Sequence, residues 1–148
     1  MPQQGSPGRI TTEGLLLWVI VRIRTLYLLS YNLQMAIEWV RKLCKSLPHT
    51  TEEVLWGNDL VYKIGGKMYA VMPIDATGLC LSFKAGEERF AELCEMAGVI
   101  PAPYLARSHW VALEHEDAIP PVTLKPLIRQ AYDQVRAKLP KKVQAGLG

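Results

Sequence analysis

Lys63 and Lys67 stand on either side of Gly65-Gly66, between two runs of β-forming residues. That composition predicts a two-residue hairpin turn with both lysines projecting from its tip. Ammonium groups on a hairpin can lie along a phosphate backbone, where each phosphate neutralised releases counterions and strengthens binding at low salt. The same lysines also have a plain use, because Lys on an exposed strand discourages edge-to-edge association. Lys84 ends a later β-prone run, residues 79–84. There Leu79, Leu81 and Phe83 share one face, and Cys80, Ser82 and Lys84 share the other. If the second face is open, Lys84 joins a basic surface with Lys63; if a helix covers it, Lys84 sits at the rim.

Arg107, His109 and Trp110 form the second cluster of interest. An Arg beside an exposed aromatic can stack a base or clamp a phosphate, whereas a Trp in a small domain more often belongs to the core. His109 has the chemistry of a general base, but no nucleophile or carboxylate pair stands at a catalytic spacing from it. The third feature is charge asymmetry at the end of the chain. Residues 124–148 carry Lys125, Arg129, Arg136, Lys138, Lys141 and Lys142 against Asp133 alone. Cations at a helix C-terminus are expected from the dipole, so phosphate contact by Lys138, Lys141 and Lys142 competes with that reading.

Other chemistries find little purchase. The sequence has no Walker loop, no GxGxxG, no GxSxG and no HExxH. Cys44, Cys80 and Cys94 stand 36 and 14 residues apart, without a CxxC pair or a His at zinc-finger spacing. They read as reduced thiols of a cytoplasmic protein. The expectation is a binding protein, not an enzyme, with no catalytic residue, no metal and no cofactor.

At 148 residues, 49% hydrophobic and 21% charged, the chain has room for one domain and a globular composition. Its net charge is +3, too small an excess to name a partner. Residues 1–34 do not match the rest. Residues 1–9 are rich in Pro, Gly and Gln, and residues 14–31 form an apolar run broken by Arg22 and Arg24. Each of those arginines would cost roughly 2.5–3.5 kcal/mol at the centre of a membrane span, so no membrane segment is expected. Met35 opens an amphipathic helix and is the expected natural start, with residues 1–34 an extension outside the folded domain. Without Arg9, Glu13, Arg22 and Arg24, the remainder holds 14 basic and 13 acidic side chains. Any electrostatic footprint must therefore be local.

The elements that would position these residues follow from periodicity. Residues 36–47 place Ile37, Val40, Cys44 and Leu47 on one helical face. Strands are predicted near 52–56, 60–64, 67–72, 79–84 and 109–113, with a turn at 75–78. Helices are predicted at 87–96, where the acidic residues open the first turn, and at 123–138, closed by Pro140. Residues 99–104 read as a proline-stiffened loop. The order is that of a small α+β domain, 35–143, with an antiparallel sheet of about four to five strands. Helices come before, between and after the strands, and residues 144–148 are expected as a flexible tail.

Six blocks in this order resemble the MmcQ/YjbR family. They are Trp56-Gly57, Val61 to Ala70, Leu81 to Lys84, Val99 to Ala102 with Tyr104, His109 to Val111, and Ala137 to Lys142. The similarity spans roughly residues 35–143. It implies a CyaY-like fold and a DNA-binding protein with two β-hairpin wings, with double-stranded DNA as the partner. One junction departs from the family pattern: after Lys84 the chain has Ala85-Gly86-Glu87, where members often carry Cys-Asp-Pro. The residues expected to touch nucleic acid are Lys63, Lys67, Lys84, Arg107, His109, Trp110, Lys138, Lys141 and Lys142. A rival reading is a protein- or small-ligand-binding module using the sheet face and the loop up to Tyr104.

Overall fold

The computed structural model describes residues 12–74 and 78–147. The chain divides into two units, Met1–Met35 and Ala36–Gly148. Helix α1 (Thr12–Ser46) runs through that division, so it begins well before the expected start near residue 36. The reason is compositional: no Gly or Pro interrupts residues 15–47, and Leu is abundant. In the first unit the apolar side chains from Leu15 to Leu28 are exposed. The Arg22 guanidinium lies 4.9 Å from the centroid of the Trp18 ring, one helical turn away. Among the described residues, no helix is long and apolar enough to cross a membrane. The Pro/Gly-rich residues 1–9 and most of the 75–78 turn lie outside the described residues.

The second unit holds one sheet. Its strands are β1 (Thr50–Leu55), β2 (Asp59–Ile64), β3 (Lys67–Pro73), β4 (Leu81–Lys84), β5 (Val99–Pro101) and β6 (Trp110–Leu113). They lie in the order β1-β2-β3-β4-β6-β5, and every neighbouring pair is antiparallel. Six strands thus replace the four to five expected. The addition is β5, read from sequence as a loop because of its prolines; it is an edge strand, where Pro101 removes no interior ladder bond. The Gly65-Gly66 turn has φ of 58° and 79°, the pair of positive values a tight two-residue hairpin turn demands.

Helices α2 (Glu87–Cys94) and α3 (Pro121–Ala137) and the end of α1 cover one sheet face. Leu124, Leu127, Ile128, Ala131, Tyr132 and Val135 of α3 recur at three- and one-residue steps, a single helical face. They pack with Val40, Cys44 and Leu47 against Tyr62, Ile64, Met72, Phe83, Val111 and Leu113. Burying each large apolar side chain contributes roughly 1.5–3 kcal/mol. The β2–β3 register slips between Tyr62 and Lys63, which oppose Ala70 and Met68. Tyr69 is the extra residue of this bulge, and both it and Ala70 join the helix-side core. Its hydroxyl donates to the Cys44 carbonyl at 3.3 Å and pairs with Thr50 Oγ1 at 3.0 Å.

On the opposite sheet face, no α-helix contributes to the core among the described residues. The smaller core there is Val61, Val71, Ala102, Trp110 and Ala112, with Met68, Leu79, Ile100 and Leu105 against it. The chain from Ala102 through the 3-10 turn Ala106–Ser108 belongs to this side. After Pro140 a short helix, α4 (Lys141–Gly146), occupies much of the segment expected as a tail. Gln144 Nε2 ties it back, donating to the Leu139 carbonyl at 2.7 Å and to that of Ala137 at 3.2 Å.

Candidate nucleic-acid interface

The hairpin tip is not a free wing. A Cβ on Gly65 would meet Leu139 Cδ1 at 2.6 Å and Val143 Cγ1 at 3.1 Å, so the turn's backbone nests directly on the α3–α4 corner. Only a glycine gives both this approach and φ of 58° without strain. The nesting brings the start of β3 beside the end of α3. Between them opens a cleft of about 320 Å³, lined by Lys67, Lys84 and Lys138 with Ser108, Trp110, Met68, Leu105, Leu139 and Pro140 among its walls. Among the described residues, no acidic side chain lines it.

Lys84 reaches the cleft because β4 alternation puts it opposite Leu81 and Phe83 of the core. Neither alternative left open by the sequence holds in full: Lys84 lies on the face away from the main core, but the end of α3 walls its cleft and Lys63 is not part of it. Partial burial pushes the Lys84 ammonium below its usual pKa, and the charge of Lys138 pushes in the same direction. The two cations are therefore near enough to repel. Lys67 and Lys138 are exposed, and neither pairs with a carboxylate among the described residues.

Lys141 and Lys142 are exposed and occupy the first turn of α4, immediately after Pro140 of the cleft. The helix dipole does not account for them. They open a new helix, where the dipole disfavours cations, instead of closing the preceding one. Lys138, the C-cap of α3, keeps that explanation.

The other expected residues are elsewhere. Lys63 does not line the cleft; its Nζ is 2.8 Å from Glu53 Oε2 on the neighbouring strand, so its charge is matched. Arg107 is exposed in the turn beside Ser108 but is not a lining residue. His109 is not in β6. It sits before the strand with φ of 60°, and its carbonyl accepts the N–H groups of Ala85 and Gly86. Its ring meets Phe90 of α2 edge-on, with centroids 5.5 Å apart. Trp110 is only 4% exposed and packs with Val61 and Val71, so the indole forms wall and cannot stack an incoming base. That placement corrects the stacking role expected of it, and the reason is alternation in β6: the partner face goes to the main core and Trp110 to the second one.

A second concavity lies on the sheet face beside the loop up to Tyr104, the region named in the rival reading, although Trp56 was not among the residues expected there. It is an apolar groove of about 550 Å³, lined by Trp56, Met68, Val71, Pro73, Leu79, Tyr104 and Leu105, with Asp59 and Ser82 as its polar groups. Trp56 and Tyr104 are 67% and 105% exposed. Both adopt the left-handed region, with φ of 51° and 65°, at a cost of roughly 1–2 kcal/mol each. The available signal was Trp56 before Gly57, a large aromatic at a turn. Of the three thiols only Cys44 is buried, which pushes it up to about 12; partial burial also raises Cys80 and Cys94. Among the described residues, no three His, Cys, Asp or Glu side chains gather closely enough to hold a metal ion.

Comparison with known families settles the lineage. The YjbR family model matches residues 45–134. The chain belongs to the YjbR family. A solved structure agrees with this: the crystal structure of Deinococcus radiodurans protein DR2400, described by the domain name DUF419, is 31% identical to this YjbR protein. The similarity covers 76% of this chain and 87% of that one, with a TM-score of 0.68. No curated protein matches the chain. Lys67 and Lys84 of the cleft fall inside the YjbR match, whereas Lys138, Lys141 and Lys142 lie beyond it.

Proposed function

We propose that this YjbR protein binds nucleic acid, chiefly through phosphates, at the cleft of Lys67, Lys84 and Lys138, with Lys141 and Lys142 extending the contact. The observation that carries the reading is the cleft itself: three lysines from three separate elements line one concavity that has no acidic wall among the described residues. A nearly balanced protein that leaves such a group without a carboxylate partner spends stability on it, and a polyanion is the ligand that recovers it. The protein acts in the cytoplasm as a binding protein, without a catalytic step. Arg107, one residue from the cleft's Ser108, is a peripheral contact. Lys63 contributes little, because Glu53 neutralises it.

Salt titration of binding tests this. Three phosphate contacts predict a log–log salt slope of about −2.7 on duplex DNA, steeper if Lys141 and Lys142 take part. Lys67→Ala with Lys138→Ala should flatten the slope by about 2 units, whereas Lys63→Ala should leave it unchanged. Affinity weaker than about 1 mM at ~50 mM salt, or a slope untouched by the double variant, would rule the reading out. A rival reading draws on the apolar groove, which suits a small ligand or a peptide. It predicts binding that is indifferent to salt and lost on truncating Tyr104.

A further inference from the structure

The groove and the cleft are parts of one surface. Met68 and Leu105 line both, so the apolar, aromatic-flanked concavity runs directly into the lysine-lined one. At the groove, two large aromatic rings are held out in water by backbone conformations that bulky residues seldom adopt. At the cleft, three lysines have no carboxylate partner among the described residues. The ligand that satisfies both is one that offers flat apolar faces and negative charges side by side. Duplex DNA does not, because its base faces are stacked inside and only phosphates and edges reach a protein. A single strand does: its bases can be splayed onto aromatic rings while its phosphates follow a basic track.

We infer that the nucleic acid taken by this surface is single-stranded, with bases stacked on Trp56 and Tyr104 and phosphates held by Lys67, Lys84 and Lys138. Asp59 gives the arrangement a direction. The residue lines the groove and not the cleft, so its charge repels phosphate from the aromatic end and its carboxylate can accept hydrogen bonds from base amino groups there. The inference rests on the phosphate reading of the cleft and adds the class of strand to it.

The test uses the full chain and fluorescence anisotropy with three labelled probes of about 12 nucleotides, a length within the range one single-strand site covers. One probe is a single DNA strand, one is the same sequence as a duplex, and one is an abasic strand with the same phosphates and no bases. The single strand should bind at least tenfold more tightly than either of the others. Trp56→Asn with Tyr104→Asn keeps residues that tolerate the left-handed region. This pair should cost the single strand about tenfold or more while leaving duplex and abasic affinities unchanged. Lys67→Ala with Lys138→Ala should weaken all three probes. If the duplex binds as tightly as the single strand, or the aromatic pair changes all probes alike or none, the inference falls and the phosphate reading stands. If no probe binds, or binding survives the lysine pair, the phosphate reading falls with it.

Discussion

Lys84 shows how a single side chain carries both a cost and a use. Half-buried on β4 and facing Lys138, its ammonium has a pKa below the usual 10.5, first through burial and then through the neighbouring charge. The folded state therefore disfavours the charged form. The penalty is in full force below the lowered folded value and fades as pH rises from there toward 10.5, so stability climbs across that interval. A bound phosphate reverses the sign by favouring the charged form, and binding should draw in a proton near the lowered value. Lys84→Met keeps the stem's packing and deletes the charge. Thermal unfolding at neutral pH should show a small rise in Tm, while the salt slope of nucleic-acid binding flattens by about 1 unit. A lower Tm would mean that Lys84 stabilises the fold instead.

At the level of elements, the β2–β3 hairpin was legible because Gly65-Gly66 between β-forming runs has few other outcomes. The helix-side core was legible from the three- and four-residue spacing of α1 and α3. What composition could not reveal was pairing between distant segments. Glu53 neutralises Lys63 only because the β1–β2 register sets Glu53 opposite Val61, diagonal to Lys63, and nothing local announces that register. The burial of Trp110 and the strand at Val99–Pro101 likewise depend on which neighbour each segment finds. The docking of the hairpin on the α3–α4 corner belongs to the same class and has its own test. Gly66 has open space where a Cβ would stand, whereas Gly65 meets Leu139, itself 5% exposed and unable to swing away. Gly66→Ala should cost about 1 kcal/mol from its positive φ alone. Gly65→Ala adds overpacking and should cost about 2–4 kcal/mol in chemical denaturation. Equal losses would mean that the tip is not seated.

Across the whole second unit, charge is close to balanced, and ion pairs link α1 to β1 and β1 to β2. Arg41, near the end of α1, reaches β1 with two hydrogen bonds of 2.9 Å to the Glu52 carboxylate. Partial burial is the largest single influence and works against the ionised Glu52. Hydrogen bonding to Arg41 and the positive charges of Arg41 and Lys45, each a smaller influence, act together to hold its pKa below the usual 4.5. The stabilisation is complete above 4.5 and is lost as pH falls through the lowered folded value. Both groups are partly exposed, so the effect is modest. Tm measured from pH 6 downward should therefore drop in acid, and Glu52→Gln should shrink that drop below the ordinary carboxylate range. A variant with the parent's acid profile would assign the loss to other carboxylates. The sequence made the near-neutral total plain, yet it did not reveal that Glu52 pairs with Arg41 and Glu53 with Lys63, while Lys67, Lys84 and Lys138 have no ion pair among the described residues.

The seat of Gly65 on Leu139 and Val143 has a mechanical corollary. Lys67 rides on one side of that joint and Lys138 on the other, so the spacing of the two positive jaws is gauged by a hydrophobic hinge pin. Any opening of the joint spreads the jaws, and any polyanion gripping both would clamp it shut. The chain's last helix would then owe part of its rigidity to cargo, loosening when the protein is empty and stiffening when it is loaded.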